Sequence, residues 1–192
     1  MAISKDREYR AFEMRVADGE MSVEGYAVIF DSPTVLYTHN GVDYKEEIVR
    51  GAFDHTEMND VVMNYNHTGK PVARTKNGTL QIRVDATGVR IKADLSGTEE
   101  GRKLYEEIKG GYIDKMSFAF KASEDDYNRD THMRSVRGVA RLFDVAAVVL
   151  PAYDATSISA RSFFSAEVEK MKQAEARAQK IRKIKLLLEV SK

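Results

Sequence analysis

The chain has 192 residues, 43% hydrophobic and 31% charged, enough for one domain with a substantial core or at most two small ones. Thirty Lys and Arg balance thirty Asp and Glu, which argues against the global basic field that drives nonspecific nucleic-acid binding. Cysteine is absent, which excludes disulfides, thiol nucleophiles, Cys-ligated zinc and iron–sulfur clusters.

No apolar run approaches the ~20 residues of a membrane span. The opening MAISKDREYR carries no apolar stretch of the signal-peptide kind. Neither a membrane nor export is therefore expected. The balanced charge hides a split: residues 166–192 hold eight basic and four acidic side chains, and the remainder 22 and 26. Gly and Pro punctuate the first part and neither occurs after Pro151. The pattern predicts a β-rich body over 1–160 and a helical tail over 161–192.

Taken in chain order, Ser22 to Phe30 is rich in β-formers and stops at Asp31-Ser32-Pro33, a turn signal. Asp60 to Asn66 reads as a short strand. Leu80, Ile82 and Val84 alternate with polar residues, as do Val89, Ile91, Ala93 and Leu95. Asp85-Ala86-Thr87-Gly88 lies between them, which predicts a hairpin with one wet face. A helix follows, capped by Ser96 or Thr98, with Leu104 and Ile108 on one face and Gly110-Gly111 as its stop. Tyr112 to Lys121 reads as a strand with Met116, Phe118 and Phe120 on one side and Ser117 and Ala119 on the other. The acidic stretch from Ala122 to Met133 reads as a loop. Arg141 to Leu150 is an apolar strand that stops at Pro151. From Phe164 to Val190 no breaker occurs, and Val168, Met171, Ala174, Ala178, Ile181 and Leu188 lie near one stripe, which predicts an amphipathic helix.

Three polar residues stand out against this pattern. His67 follows a strand, Ser117 lies inside one between Met116 and Phe118, and Asp144 interrupts an apolar strand. A nucleophilic hydroxyl needs a base within reach, and the base needs a third group to orient it. Serine, histidine and carboxylate supply those roles. Each residue also has a plainer reading. Ser117 would bond a neighbouring carbonyl, His67 would be one loop histidine beside His39, His55 and His132, and Asp144 would pair with Arg141 or Arg137, since an unpaired buried carboxylate is costly. Asp54, His55, Asp60 and His67 carry ligand-type atoms without a helical metal spacing, so no metal is expected. No Gly-rich loop leads from a strand into a helix, so no nucleotide cofactor is expected either.

Four segments, in order, carry a resemblance. Glu47-Ile48-Val49-Arg50-Gly51-Ala52-Phe53, the pair Asn66-His67, Gly111 to Phe120 (GYIDKMSFAF), and Leu142 to Ala152 (LFDVAAVVLPA) resemble the corresponding segments of the phage prohead, or capsid-maturation, serine proteases. The resemblance runs from about Val23 to Ser159. It implies the fold shared with the herpesvirus assemblin-type proteases: mainly β with flanking helices (α+β), a β-barrel, here followed by the C-terminal amphipathic helix.

The resemblance also implies roles. Ser117 would be the nucleophile, His67 the base and Asp144 the third member, where the family more often has Glu. Backbone N–H groups near Ala152, Tyr153 and Asp154 would form the oxyanion hole. The substrate would be the scaffold, or the scaffolding segment of the capsid protein, and the enzyme itself. The place would be the immature capsid in the host cytoplasm. The family suggests a homo-oligomer, a dimer among the options, with no nucleic-acid or membrane partner. The basic tail would dock on scaffold helices, pack on its own barrel or pair in a dimer. Two competing readings are a non-enzymatic assembly module on the same fold, favoured by Asp in place of Glu, and an unrelated β-barrel binding domain.

Overall fold

A computed structural model describes residues 7–17, 20–149, 164, 166, 169–170, 173–174 and 176–184. The chain divides into two compact units, Met1–Thr156 and Ser157–Lys192. Among its described residues the first holds ten strands, one α-helix and a short 3-10 turn at Thr75–Asn77. The strands and the α-helix are β1 (Glu8–Val16), β2 (Ser22–Ile29), β3 (Thr34–His39), β4 (Val42–Ile48), β5 (Val62–Tyr65), β6 (Thr68–Arg74), β7 (Leu80–Val84), β8 (Gly88–Asp94), α1 (Glu99–Lys109), β9 (Lys115–Asn128) and β10 (Met133–Val148). In the second unit, every described residue from 164 to 184 is helical. The rest of the expected tail helix, with 150–163 and 185–192, lies outside the described residues. No helix among the described residues is long and apolar enough to cross a membrane.

The strands run β3-β4-β10-β9-β1-β2-β8-β7, with β5 joined to β10 and β6 joined to β5. The expected barrel is corrected here: among the described residues the sheet is open. Its two end strands, β3 and β7, pair only with their hairpin partners β4 and β8. Both present exposed edges, with Val35, Thr38 and His39 on one and Gln81, Arg83 and Val84 on the other. Charged and bulged edges of this kind do not zip together.

Instead of closing, the sheet turns at β1. Glu8 to Glu13 pair with β9, whereas Met14 to Val16 pair with β2. Gly25, opposite Met14, makes that switch sterically possible. A Cβ there would lie 2.7 Å from the Glu13 carbonyl oxygen, closer than any side chain tolerates. The two halves then enclose one apolar core that includes Val23, Val28, Val89, Ile91, Phe118, Phe120 and Leu142.

α1 forms as its capping chemistry requires. Thr98, in extended backbone, accepts the Gly101 N–H on its hydroxyl at 2.9 Å, so Thr98 rather than Ser96 is the cap. Leu104 and Ile108 bury the inner face. Thr98→Ala is expected to lower stability by about 1 kcal/mol, read as an earlier urea midpoint at unchanged slope.

A buried ionic network pins four strands together. Arg10 on β1 donates from Nε and Nη2 to the two oxygens of Glu46 on β4, at 2.5 Å each. Arg134 on β10 donates from Nη1 to Glu46 at 2.9 Å and to Glu8 on β1, and from Nε to Asp125 on β9 at 2.6 Å. Arg10, Glu46 and Arg134 are all buried. Each charge is repeatedly hydrogen-bonded, the condition under which a buried charge is tolerated.

Candidate active site

β9 and β10 build the floor of the site. Ser117 on β9 pairs with Ala146 on β10, and Ala119 pairs with Asp144. The alternation read from the sequence holds: Met116, Phe118 and Phe120 fill the core on one face, and Ser117 and Ala119 face the other way, although both faces are buried. Alternation alone would have put Asp144 on the wrong side. Leu142 pairs with Phe120, so an unbroken ladder would match Asp144 with Phe118. The register slips between Leu142 and Asp144, and Phe143 is the extra residue. A bulge of this kind moves every later side chain to the opposite face. Here it turns Asp144 and Ala146 toward the face of Ser117.

β5 runs parallel to the same end of β10, with Val62 beside Asp144 and Asn64 beside Ala146. It is joined to β6 by a two-residue turn in which both residues, Asn66 (φ 49°) and His67 (φ 56°), adopt left-handed backbone. This is the turn whose twist suits a tight hairpin. Asn tolerates that conformation, whereas His there costs of order 1 kcal/mol. The turn carries the imidazole back over β10, where His67 Nδ1 hydrogen-bonds Asp144 Oδ1. The carboxylate accepts, so Nδ1 bears the proton and Nε2 is the basic nitrogen.

The structure thus joins His67 to Asp144, and it sets Ser117 on the same face two residue pairs along β10. Ser117 Oγ is fully covered and makes no hydrogen bond among the described residues, so the serine–histidine hydrogen bond is not formed in this conformation. Such contacts commonly tighten only when substrate is bound. Ala152, Tyr153 and Asp154 lie outside the described residues.

The plainer readings fare differently. Arg141 pairs with Glu57 and Arg137 with Asp126, so neither serves Asp144. His39 and His55 are exposed, and His132 bonds Tyr127. Asp60 is taken up by both ends of the Arg74 guanidinium at 2.6 Å, a hydrogen bond that also holds its carboxyl below the usual range. No group of three metal-ligating side chains occurs among the described residues.

Two residues near these three side chains went unread in the sequence. Asn64 is buried, and its Oδ1 has no hydrogen-bond partner among the described residues. It was legible in principle, as a polar residue at an inward position of an apolar strand. Arg7 places Nη1 3.6 Å from Asp144 Oδ2, and nothing in MAISKDREYR signals it.

The model of one family, the caudovirus prohead serine proteases, matches residues 6–174. The chain belongs to that family. It is accordingly a serine protease and not a non-enzymatic module. Among solved structures, the bacteriophage T4 capsid assembly protease gp21 is similar at 11% identity with a TM-score of 0.48, covering 76% of this chain and 98% of that one. No curated protein sequence matches.

Proposed function

We propose that this protease is a capsid-maturation endopeptidase that cuts the scaffold, or the scaffolding segment of the capsid protein, and itself, by Ser-His-Asp acyl transfer. The hydrogen bond from His67 to Asp144, on the sheet face that carries Ser117, is the observation behind it. In this reading His67 Nε2 takes the Ser117 proton as Oγ attacks the scissile carbonyl. Asp144 fixes the imidazole tautomer and stabilises the imidazolium, and His67 then protonates the leaving amine. Backbone N–H groups near Ala152, Tyr153 and Asp154 are assigned to the tetrahedral oxyanion. The site needs no metal or cofactor for these steps. The family's own description supplies the setting, a prohead, and so the place of action is assigned to the immature shell in the host cytoplasm.

The body over 1–160 acts as the protease domain, related in fold to the herpesvirus enzymes. The basic tail over 161–192 docks on scaffold segments. Assembly as a homo-oligomer accompanies activity.

Intact mass after fluorophosphonate treatment tests the chemistry. One adduct on the parent and none on Ser117→Ala is expected. A parent that stays unlabelled beside scaffold protein, or a labelled alanine variant, defeats the assignment of Ser117. Asp144→Asn, which keeps the shape but disturbs the tautomer, is expected to slow labelling by roughly 10³–10⁴-fold. A rate within a few-fold of the parent would remove Asp144 from the mechanism.

A further inference from the structure

The carboxylate of Asp144 has two oxygens, and the mechanism uses one. Oδ1 serves His67. Oδ2 sits in a buried residue on an otherwise apolar strand, where half a carboxylate without compensation is costly. The charge that meets it is Arg7, whose Nη1 lies 3.6 Å away. The same guanidinium is stacked over the ring of Phe143, 4.3 Å from its centre. Phe143 is the extra residue of the bulge that turns Asp144 toward the serine. One side chain therefore covers the bulge and faces the carboxylate the bulge presents. Arg141 approaches the other region of that ring at 5.2 Å but spends its charge on Glu57.

The topology makes the reach possible. Arg7 immediately precedes β1, and β9 lies between β1 and β10. The β9 residue opposite Asp144 is Ala119, whose methyl leaves the crossing open to a long side chain.

We infer that Arg7 is a positioning residue of the protease: it holds Asp144 Oδ2 and the Phe143 bulge so that Oδ1 stays on His67. This deepens the triad reading above and rests on it. A planar guanidinium suits the task because it can stack on a ring and face a carboxylate at once.

The test is the rate of fluorophosphonate labelling of the full chain at neutral pH, with Ser117→Ala and Asp144→Asn as controls. Arg7→Met keeps an aliphatic cover on Phe143 and removes the charge, and Arg7→Ala removes both. Both are expected to label about five- to tenfold more slowly at neutral pH. Arg7→Lys, which keeps the charge, should recover most of the parent rate. Arg7→Ala combined with Asp144→Asn should label no more slowly than Asp144→Asn alone. The Arg7 side chain is 40% exposed and outside any strand, and circular dichroism establishes that each variant is folded. Should Arg7→Ala unfold, Arg7→Met carries the same comparison. An unchanged rate in Arg7→Met and Arg7→Ala, or a rate in Arg7→Lys as low as theirs, with both controls impaired, overturns the role of Arg7 and leaves the triad standing. Label on Ser117→Ala, or none on the parent, overturns the triad and Arg7 with it.

Discussion

Replacing Ser117 by alanine is expected to remove activity and leave the fold as stable as before, or more so. The two halves of this result have different causes. Loss of the nucleophile from a serine–histidine–aspartate site costs roughly 10⁶-fold in turnover, because the remaining groups act only through it. Stability depends on what the hydroxyl does in the resting fold. Ser117 is fully buried and its Oγ makes no hydrogen bond among the described residues. A buried polar group left without a partner costs about 1–3 kcal/mol. Alanine deletes that group and loses little packing, since the neighbouring Ala146 is of the same size. A gain of up to about 1 kcal/mol in urea unfolding is expected, together with a blank in any peptidase or labelling assay. A structural serine would behave in the opposite way, with activity retained and more than about 1 kcal/mol of stability lost.

Glu46→Ala is expected to be the most damaging single change to the fold. Glu46 accepts from Arg10 and Arg134 together, and all three are buried. Its removal leaves Glu8, less deeply buried, to serve both guanidinium groups. Breaking a buried ion pair in this way typically costs about 3–5 kcal/mol, a large part of the 5–15 kcal/mol that holds a domain of this kind together. Differential scanning calorimetry should show the midpoint falling by roughly 10 °C. Replacing Arg10, Glu46 and Arg134 together by apolar residues of similar volume should cost much less. A midpoint within about 2 °C of the parent for Glu46→Ala would show that the network is not what holds β1, β4 and β10 together.

The same network predicts the response to acid. Burial pushes the Glu8 carboxyl up, but its hydrogen bond to Arg134 and the charges of Arg10 and Arg134 outweigh this and hold it below its ordinary value of 4.5. A carboxyl depressed in the folded state contributes stability that is fully present above the ordinary value. That contribution is lost as pH falls through the folded value. Unfolding free energy should therefore decline below about pH 4.5, and Glu8→Gln should flatten that decline. An identical acid slope in parent and variant would exclude Glu8 as its source.

The hairpin β7–β8 was legible because both of its signals are local, two alternating runs and an Asp-to-Gly turn between them. α1 was legible for the same reason. The arms of β9 and β10 were not. Residues 122–133 read as an acidic loop, yet β9 continues to Asn128 and β10 begins at Met133. Their polar residues are strand residues stabilised across the ladder, Asp125 by Arg134 and Asp126 by Arg137. That compensation is invisible until the partner strand is known. β1 was missed altogether, since EYRAFEMRV places a charged Arg10 where the core requires burial, and Glu8 beside it compensates that charge only together with Glu46, far along the chain. At the site, Ser117, His67 and Asp144 could be singled out as polar residues in apolar surroundings. Their common face could not, because it depends on one extra residue at Phe143, and a bulge leaves no mark in the hydrophobic pattern.

β10 also has a meaning in time. It pairs with β9 along one flank and with β4 and β5 along the other, and among the described residues it is the last strand of the sheet to leave the ribosome. The carboxylate it carries therefore follows the serine hydroxyl by roughly 1–5 s of synthesis. Before then, β5 has no strand to dock on except β6, and the imidazole in the turn between them has nothing to orient it. On the triad proposed above, a nascent chain therefore holds its serine and its histidine before the carboxylate that would orient the base has joined the sheet, so that completing the sheet and completing the site would be one event.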